Sequence, residues 1–428
     1  MWEKFARLFR IPELRQRILF TLAAIVIFRL GTHIPVPGVD PEALSRFFET
    51  QGGGIFDFLN MFTGGALQRF SLFALGVTPY INASIIFSLL TAVVPKLKEL
   101  QRQGREGRRK ITTYTRWATV AIAVLQAIGF STIIRSAATT SGLWFYITSI
   151  MTLTTGTIFL MWLGERITEN GIGNGISMII MIGILSRFPE SFSRTYIEVT
   201  TGTASPFWAV ALIALFVVVI AGVTMIQQGQ RKIVIQYAKR TSGRRIYGGH
   251  TTHLPIRVNQ GGVIPIIFAS ALLSLPMTLV QAIGPLNFLE SYVRQGSWSY
   301  ILAYVLLIFF FTYFYSSIVF DPMEVSKNIR EAGGFIPGVR PGRPTSEYIS
   351  GVLNRILLIG ALFLASVAVL PYVFSAMSGL SAAFVIGGTS LLIVVGVGID
   401  TLMQIEAHLV MRHYESLTKA GGLLGRRG

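Results

Sequence analysis

"GVTPYINASIIFSLLTAVV", residues 76–94, runs for nineteen residues without a charge and opens on a glycine followed closely by a proline. A bilayer core about 30 Å thick takes about 20 apolar residues in helical form, so the stretch reads as a membrane span. Its opening is the unusual part. Proline lacks an N–H and bars regular helix just before it, so Gly76 and Pro79 mark a break at the mouth of the span. The pattern returns as "GVIP", where Gly262 and Pro265 open another apolar run. Glycine and proline are common in membrane helices, and one such motif would carry little. Two at corresponding positions point to a duplicated architecture.

Working outward, ten apolar runs are candidate spans: about 18–34, 77–95, 114–135, 143–164, 172–188, 206–226, 263–281, 299–320, 351–372 and 381–402. They divide five and five. An odd number of spans per half makes the second half enter from the opposite side, as in inverted repeats whose working path lies at the repeat interface. In that division "GVTP" and "GVIP" each open the second span of a half. The expected fold is an all-α polytopic membrane protein of ten transmembrane helices in two inverted five-helix halves. The halves are 18–188 and 206–402, followed by a tail at 403–428. Residues 1–17 place Trp2, Phe5, Leu8 and Phe9 at helical spacing among five basic residues, an amphipathic helix suited to an anionic membrane face.

Composition agrees. The 428 residues are 52% hydrophobic and 13% charged, which a water-soluble surface could not accommodate. The absence of cysteine excludes disulfides, thiol catalysis and cysteine-bound metals. The net charge of +17 allows nucleic acid, anionic lipid or an acidic partner, and its location narrows the choice. With the N-terminus placed in the cytoplasm, 29 of the 37 basic residues fall on the cytoplasmic side and 6 on the other. This asymmetry puts both termini in the cytoplasm. Among the cytoplasmic segments, 227–261 holds seven cations and no acidic residue. Part of that excess is topological. "KIVIQYAKR" and "LPIRV" within it, around "TSGR", are expected to form a projecting β-hairpin.

What the spans lack is also informative. Ion-coupled transport uses buried carboxylates or histidine chains. Only Arg29, Arg355 and Asp400 are clearly ionisable within spans. No HExxH, paired carboxylate at helical spacing or phosphate-binding GxxxxGK[ST] loop is present, so no cofactor, metal or enzyme activity is expected. "GIGNG", 171–175, follows no strand and reads as a tight turn. "ALQRFSLFALG", 66–76, is apolar and helix-like but too short to cross. It is either a re-entrant half-helix, which must lie against protein or a water-filled cavity, or an interfacial helix. The inner spans carry isoleucines: Ile81 and Ile85, Ile176 and Ile180, Ile267, Ile393. Taken alone, such residues are packing or lipid contacts.

Six stretches go beyond composition: "FRLGTHIPVPGVD" (28–40), "GGALQRFSLFALGVTPYINASII" (64–86), "ITENGIGNGISMII" (167–180), "GGVIPIIFAS" (261–270), "GGFIPGVRPGRPTSEYI" (333–349) and "GGTSLLIVVGVGID" (387–400). Together, and in this order, they resemble the bacterial SecY family over essentially the whole chain. The resemblance implies a plasma-membrane, protein-conducting channel for unfolded secretory polypeptides that also opens sideways to release membrane segments. It implies a pore ring of Ile81, Ile85, Ile176, Ile180, Ile267 and Ile393. It implies a re-entrant plug near 61–72, with Met61, Phe62, Thr63, Gly64, Gly65, Ala66, Leu67, Gln68, Arg69 and Phe70. Spans 2 and 7, with 3 and 8, would form the lateral gate, whose helix breaks are Gly76, Pro79, Gly262 and Pro265. The loops 227–261 and 321–350 would dock the ribosome, through its RNA phosphates, and the SecA motor ATPase. Arg240, Arg244, Arg245, Arg340 and Arg343 are the expected contacts, with anionic lipid or topology as the other uses of such arginines. SecE and SecG are the implied small partners. The alternative is an ion-coupled secondary transporter with a five-plus-five inverted repeat.

Overall fold

A computed structural model of the chain describes residues 11–51, 60–139, 142–237, 239–242, 245–248, 251–282, 296–378 and 388–424. The expected amphipathic positions Trp2, Phe5, Leu8 and Phe9 lie outside the described residues, as does Arg244. In chain order the helices are α1 (Pro12–Gly31), α2 (Pro41–Gln51), α3 (Thr78–Val93), α4 (Pro95–Arg102), α5 (Arg105–Ile133), α6 (Leu143–Asn170), α7 (Gly175–Leu185), α8 (Phe188–Thr200), α9 (Pro206–Gln228), α10 (Ile264–Ala282), α11 (Trp298–Val319), α12 (Pro322–Glu331), α13 (Arg343–Ser378) and α14 (Thr389–Leu424). The strands are β1 (Gln230–Tyr237), β2 (Lys239–Ser242), β3 (Arg245–Gly248), β4 (Thr251–Arg257) and β5 (Gly334–Phe335).

Each of the ten expected spans overlaps a helix among the described residues: α1, α3, α5, α6, α7, α9, α10, α11, α13 and α14. Among the described residues, seven stretches are long and apolar enough to cross a membrane, or eight if α3 and α4 form one bent span. The chain is a multi-pass membrane protein. α1 and α10 stand at the other two expected positions without meeting that measure. The helix starts follow from local chemistry. Ser205, Ser297 and Asp321 each cap a backbone N–H, and Pro206 and Pro322 occupy first-turn positions where no N–H is needed.

Two spans differ from the sequence reading. After Val93 the chain turns by 98° into α4. Val94 is extended because Pro95 follows it and excludes the helical region. The fifth span is a short helix, α7, of 11 residues. At 1.5 Å per residue it covers about 16 Å and cannot cross alone. It turns at Ser186 and Arg187 and continues as α8, with Pro189 in the first turn.

The duplication appears in the packing. In the first half α1 touches α6 and α7, α3 touches α5 and α6, α5 touches α6, and α6 touches α7. In the second, α9 touches α13 and α14, α10 touches α11, α11 touches α13, and α13 touches α14. Replacing α1, α3, α5, α6 and α7 by α9, α10, α11, α13 and α14 turns every pair of the first set but α3–α6 into a pair of the second. The glycines of the two opening motifs also adopt one conformation, with φ of 57° at Gly76 and 58° at Gly262. That left-handed backbone is open to glycine at little cost. The halves meet where α10 lies on α3 and α5, and where α14 lies on α7.

Candidate pore, plug and docking platform

The six isoleucines come from four helices in two halves. α3 carries Ile81 and Ile85, α7 carries Ile176 and Ile180, α10 carries Ile267 and α14 carries Ile393. The structure brings all six into one apolar cluster. Five are buried, from 0% exposed at Ile393 to 7% at Ile81, and Ile176 packs against them half-buried. Met61, Phe62 and Ala66 belong to the same cluster. Aliphatic side chains from both halves and an inserted loop therefore share one apolar cluster. The six isoleucine side chains themselves offer neither donor nor acceptor to an ion or an amide.

The inserted loop is not the helix that the sequence suggests for 66–76. Helical geometry covers 60–63 and then gives way to successive turns up to 77. The cause is a pair of left-handed glycines, Gly64 (φ 66°) and Gly65 (φ 87°), followed by Phe70 at φ 41°. Phe70 bears this strained conformation because both flanks are fixed. Val36 N donates to the Phe70 carbonyl, Leu72 N donates to Ile34, and Pro35 and Ser71 form a β-bridge. The ring is buried in a second cluster with Val36, Leu44 and Leu67. The loop's neck is closed by two contacts: Asn60 Nδ2 donates to Gln68 Oε1 at 3.2 Å, and Gln68 N donates to Asn60 Oδ1 at 3.1 Å. Arg69 is exposed.

Glycines on the surrounding helices receive this loop. A Cβ at Gly183 would lie 2.7 Å from the Phe62 carbonyl oxygen, and one at Gly156 would overlap the Leu72 carbonyl. Both obstacles are backbone and cannot swing aside. Gly183→Val is therefore expected to destabilise the seated loop by about 1–3 kcal/mol, the usual cost of overpacking. Limited proteolysis of purified protein checks this: cleavage within 60–76 should accelerate, and an unchanged rate would contradict the contact.

The two basic loops fold into one platform. β1 pairs antiparallel with β4, Lys232 facing Pro255 and Ile235 facing Thr252. β5, from the loop after α12, adds to the other edge of β1 through Gln236–Phe335 and Tyr237–Gly334. Ile233 and Ile235 point inward from β1 and pack with Ile256, Ile329, Ile336, Ile349, Leu353 and Leu357. The hairpin expected from the sequence is thus present. It continues as β2 and β3, which pair Arg240 with Tyr247 and Ser242 with Arg245 along the backbone. Arg340 is exposed on a fixed backbone: its carbonyl accepts from Thr345 Oγ1 at 2.8 Å, and the Gly342 carbonyl accepts from Ser326 Oγ at 2.7 Å. Arg343 is also exposed and is engaged with Glu347 at 3.1 Å, one turn along α13. Among the described residues no group of histidine, cysteine or acidic residues could hold a metal ion.

Sequence reasoning missed several parts of the site. Asn259 Nδ2 donates to Gln227 Oε1 at 3.3 Å and to the Gly262 carbonyl at 2.8 Å, tying the entrance of α10 to the end of α9. No sequence signal marks that contact. Arg29 Nη1 donates to the Gly64 carbonyl at 3.3 Å, and here a signal existed, since a charge within a span calls for a partner.

The comparisons with known proteins point one way. The family model for SecY matches residues 71–402. The chain is 50% identical over 439 residues to the protein translocase subunit SecY of Thermotoga maritima, covering all of both chains. Its fold resembles a solved SecY described as having a plug domain that stabilises the closed state of the translocation channel, with a TM-score of 0.67, 18% identity and 92% of each chain covered. It also resembles Sec61 from a canine ribosome-channel complex of the endoplasmic reticulum, with a TM-score of 0.65, 16% identity, and 92% of this chain and 93% of that one covered.

Proposed function

Since the chain belongs to the SecY family and is a protein-conducting channel, we propose that unfolded secretory polypeptide crosses at the isoleucine cluster and that membrane segments leave sideways between α3 and α10. The observation that carries this reading is the meeting of Ile81, Ile85, Ile176, Ile180, Ile267 and Ile393 with the 61–70 loop in one apolar volume at the seam of the halves. A passage for any side chain must bind none strongly. Branched aliphatic groups deform around a moving chain, and a narrow apolar constriction dewets and blocks ions when vacant. Residues 61–70 act as the plug. α10 touches α3 and α5 across the seam, which is where a sideways opening would part the halves. A signal sequence brings about 7–15 apolar residues. At about 0.8 kcal/mol per buried CH₂, its transfer from water can bias a marginal closed-to-open equilibrium.

The channel sits in a bacterial plasma membrane with both termini cytoplasmic, a reading supported by the 29-to-6 division of basic residues. The β-platform then faces the cytoplasm. Its arginines meet ribosomal RNA phosphates and acidic groups of the SecA motor; anionic lipids are further partners for the basic loops, and SecE and SecG complete the complex. Sealed vesicles containing the chain with its small partner subunits test the whole reading. With the motor and ATP, an unfolded secretory polypeptide is expected to become protected from added protease. Uptake of a small solute driven by an ion gradient, without polypeptide transfer, would reject the channel in favour of a secondary transporter.

A further inference from the structure

Arg29 is an ionisable residue inside a span, half-buried in the last turn of α1, and neither the pore nor the platform uses it. Charges at such depth persist where they have a partner and a task. The partner is the plug: Arg29 Nη1 lies 3.3 Å from the carbonyl of Gly64, 35 residues along the chain. We infer that Arg29 is the positioning residue that latches the plug in its seat, an inference that rests on residues 61–70 being the plug.

Three observations carry it. The Gly64 carbonyl belongs to a buried residue that ends the helical turn at φ 66°, and a buried carbonyl needs a donor. Among the described residues Arg29 is the donor it has. The base of the latch is stiff, because the Arg29 carbonyl accepts from Thr32 Oγ1 at 2.7 Å and pairs with His33 Nδ1 at 2.8 Å. The latch is also opposed. Arg69, on the plug itself, is close enough to Arg29 for the like charges to repel. One charge-assisted hydrogen bond thus holds the seat against a charge on the element it holds. Such a fastening keeps a vacant channel shut and yields to a modest load.

The chain has no cysteine, so a single Met61→Cys reports seating cleanly, because Met61 is 2% exposed in the cluster. In the assembled complex in vesicles, Arg29→Met should raise the maleimide labelling rate of that cysteine about tenfold, the loss of one hydrogen bond to a charged group. Resting ion conductance should rise with it. Arg29→Lys, which keeps a cationic donor, should restore most of the seal. Arg69→Ala, an exposed truncation that relieves the repulsion, should slow labelling about two- to threefold. Unchanged labelling in a folded, transport-competent Arg29→Met protein would overturn the latch. So would unchanged or faster labelling with Arg69→Ala, which keeps the test decisive should the first variant fail to insert. Deleting 61–70 separates the two readings. A leak on deletion without one in Arg29→Met rejects the latch alone, and no leak on deletion rejects the plug.

Discussion

Joint replacement of Ile81, Ile176 and Ile393 by asparagine is expected to raise resting ion conductance by about tenfold or more, because polar groups let water and ions occupy a constriction that is otherwise dewetted. The three residues stand on α3, α7 and α14, so both halves of the seam lose part of their lining. Each asparagine also places an amide where no partner waits, at a cost of about 1–3 kcal/mol. A triple Ile→Val variant serves as the control. It removes one methyl per site, costs about 0.5–1.5 kcal/mol each, and keeps the lining apolar. Planar-bilayer recordings of the complex should show the asparagine variant leaking and the valine variant tight. Equal conductance in the two would take these residues out of the seal.

The second large effect lies on the platform. Arg340→Glu is expected to lower motor-driven polypeptide transport by at least about tenfold, since spoiling one member of a hydrogen-bonded charge pair costs about 2–5 kcal/mol and about 1.4 kcal/mol is a factor of ten. The fold should survive. Arg340 is exposed, and its backbone is held by Thr345 and by the turn of Gly338 (φ 82°) rather than by its own side chain. Arg343→Glu is the informative neighbour. Arg343 already spends its charge on Glu347, so its reversal should matter less. Transport assays in vesicles with purified motor compare the two. Normal rates in the Arg340 variant would remove that residue from docking.

The multi-pass helical plan was legible because hydrophobic length is an average over many residues, and averages survive local surprises. The paired openings were legible for a sharper reason: Gly76 and Gly262 need the same left-handed backbone, and the sequence shows that need as "GVTP" and "GVIP". The hairpin showed itself through the alternation around Ile233 and Ile235. The 98° turn at Pro95 had a visible cause that an apolar average blurs. The loop at 64–76 misled because its apolar residues serve two clusters in a chain of turns, so their spacing imitates a helix. The isoleucine cluster was not legible from periodicity. Ile81 and Ile393 are 312 positions apart, and only the tertiary fold makes them neighbours.

The two residue pairs that join β5 to β1 have a mechanical consequence. They splice the segment between α9 and α10 to the segment between α11 and α13, so these two loops act as one lever. A load on the hairpin arm of β1 and β4 is carried from Ile233, Ile235 and Ile256 through Ile349, Leu353 and Leu357 into the root of α13. A machine bearing down on that arm therefore strains the second half as a block, while the first half, which contributes no strand to the sheet, can stay at rest.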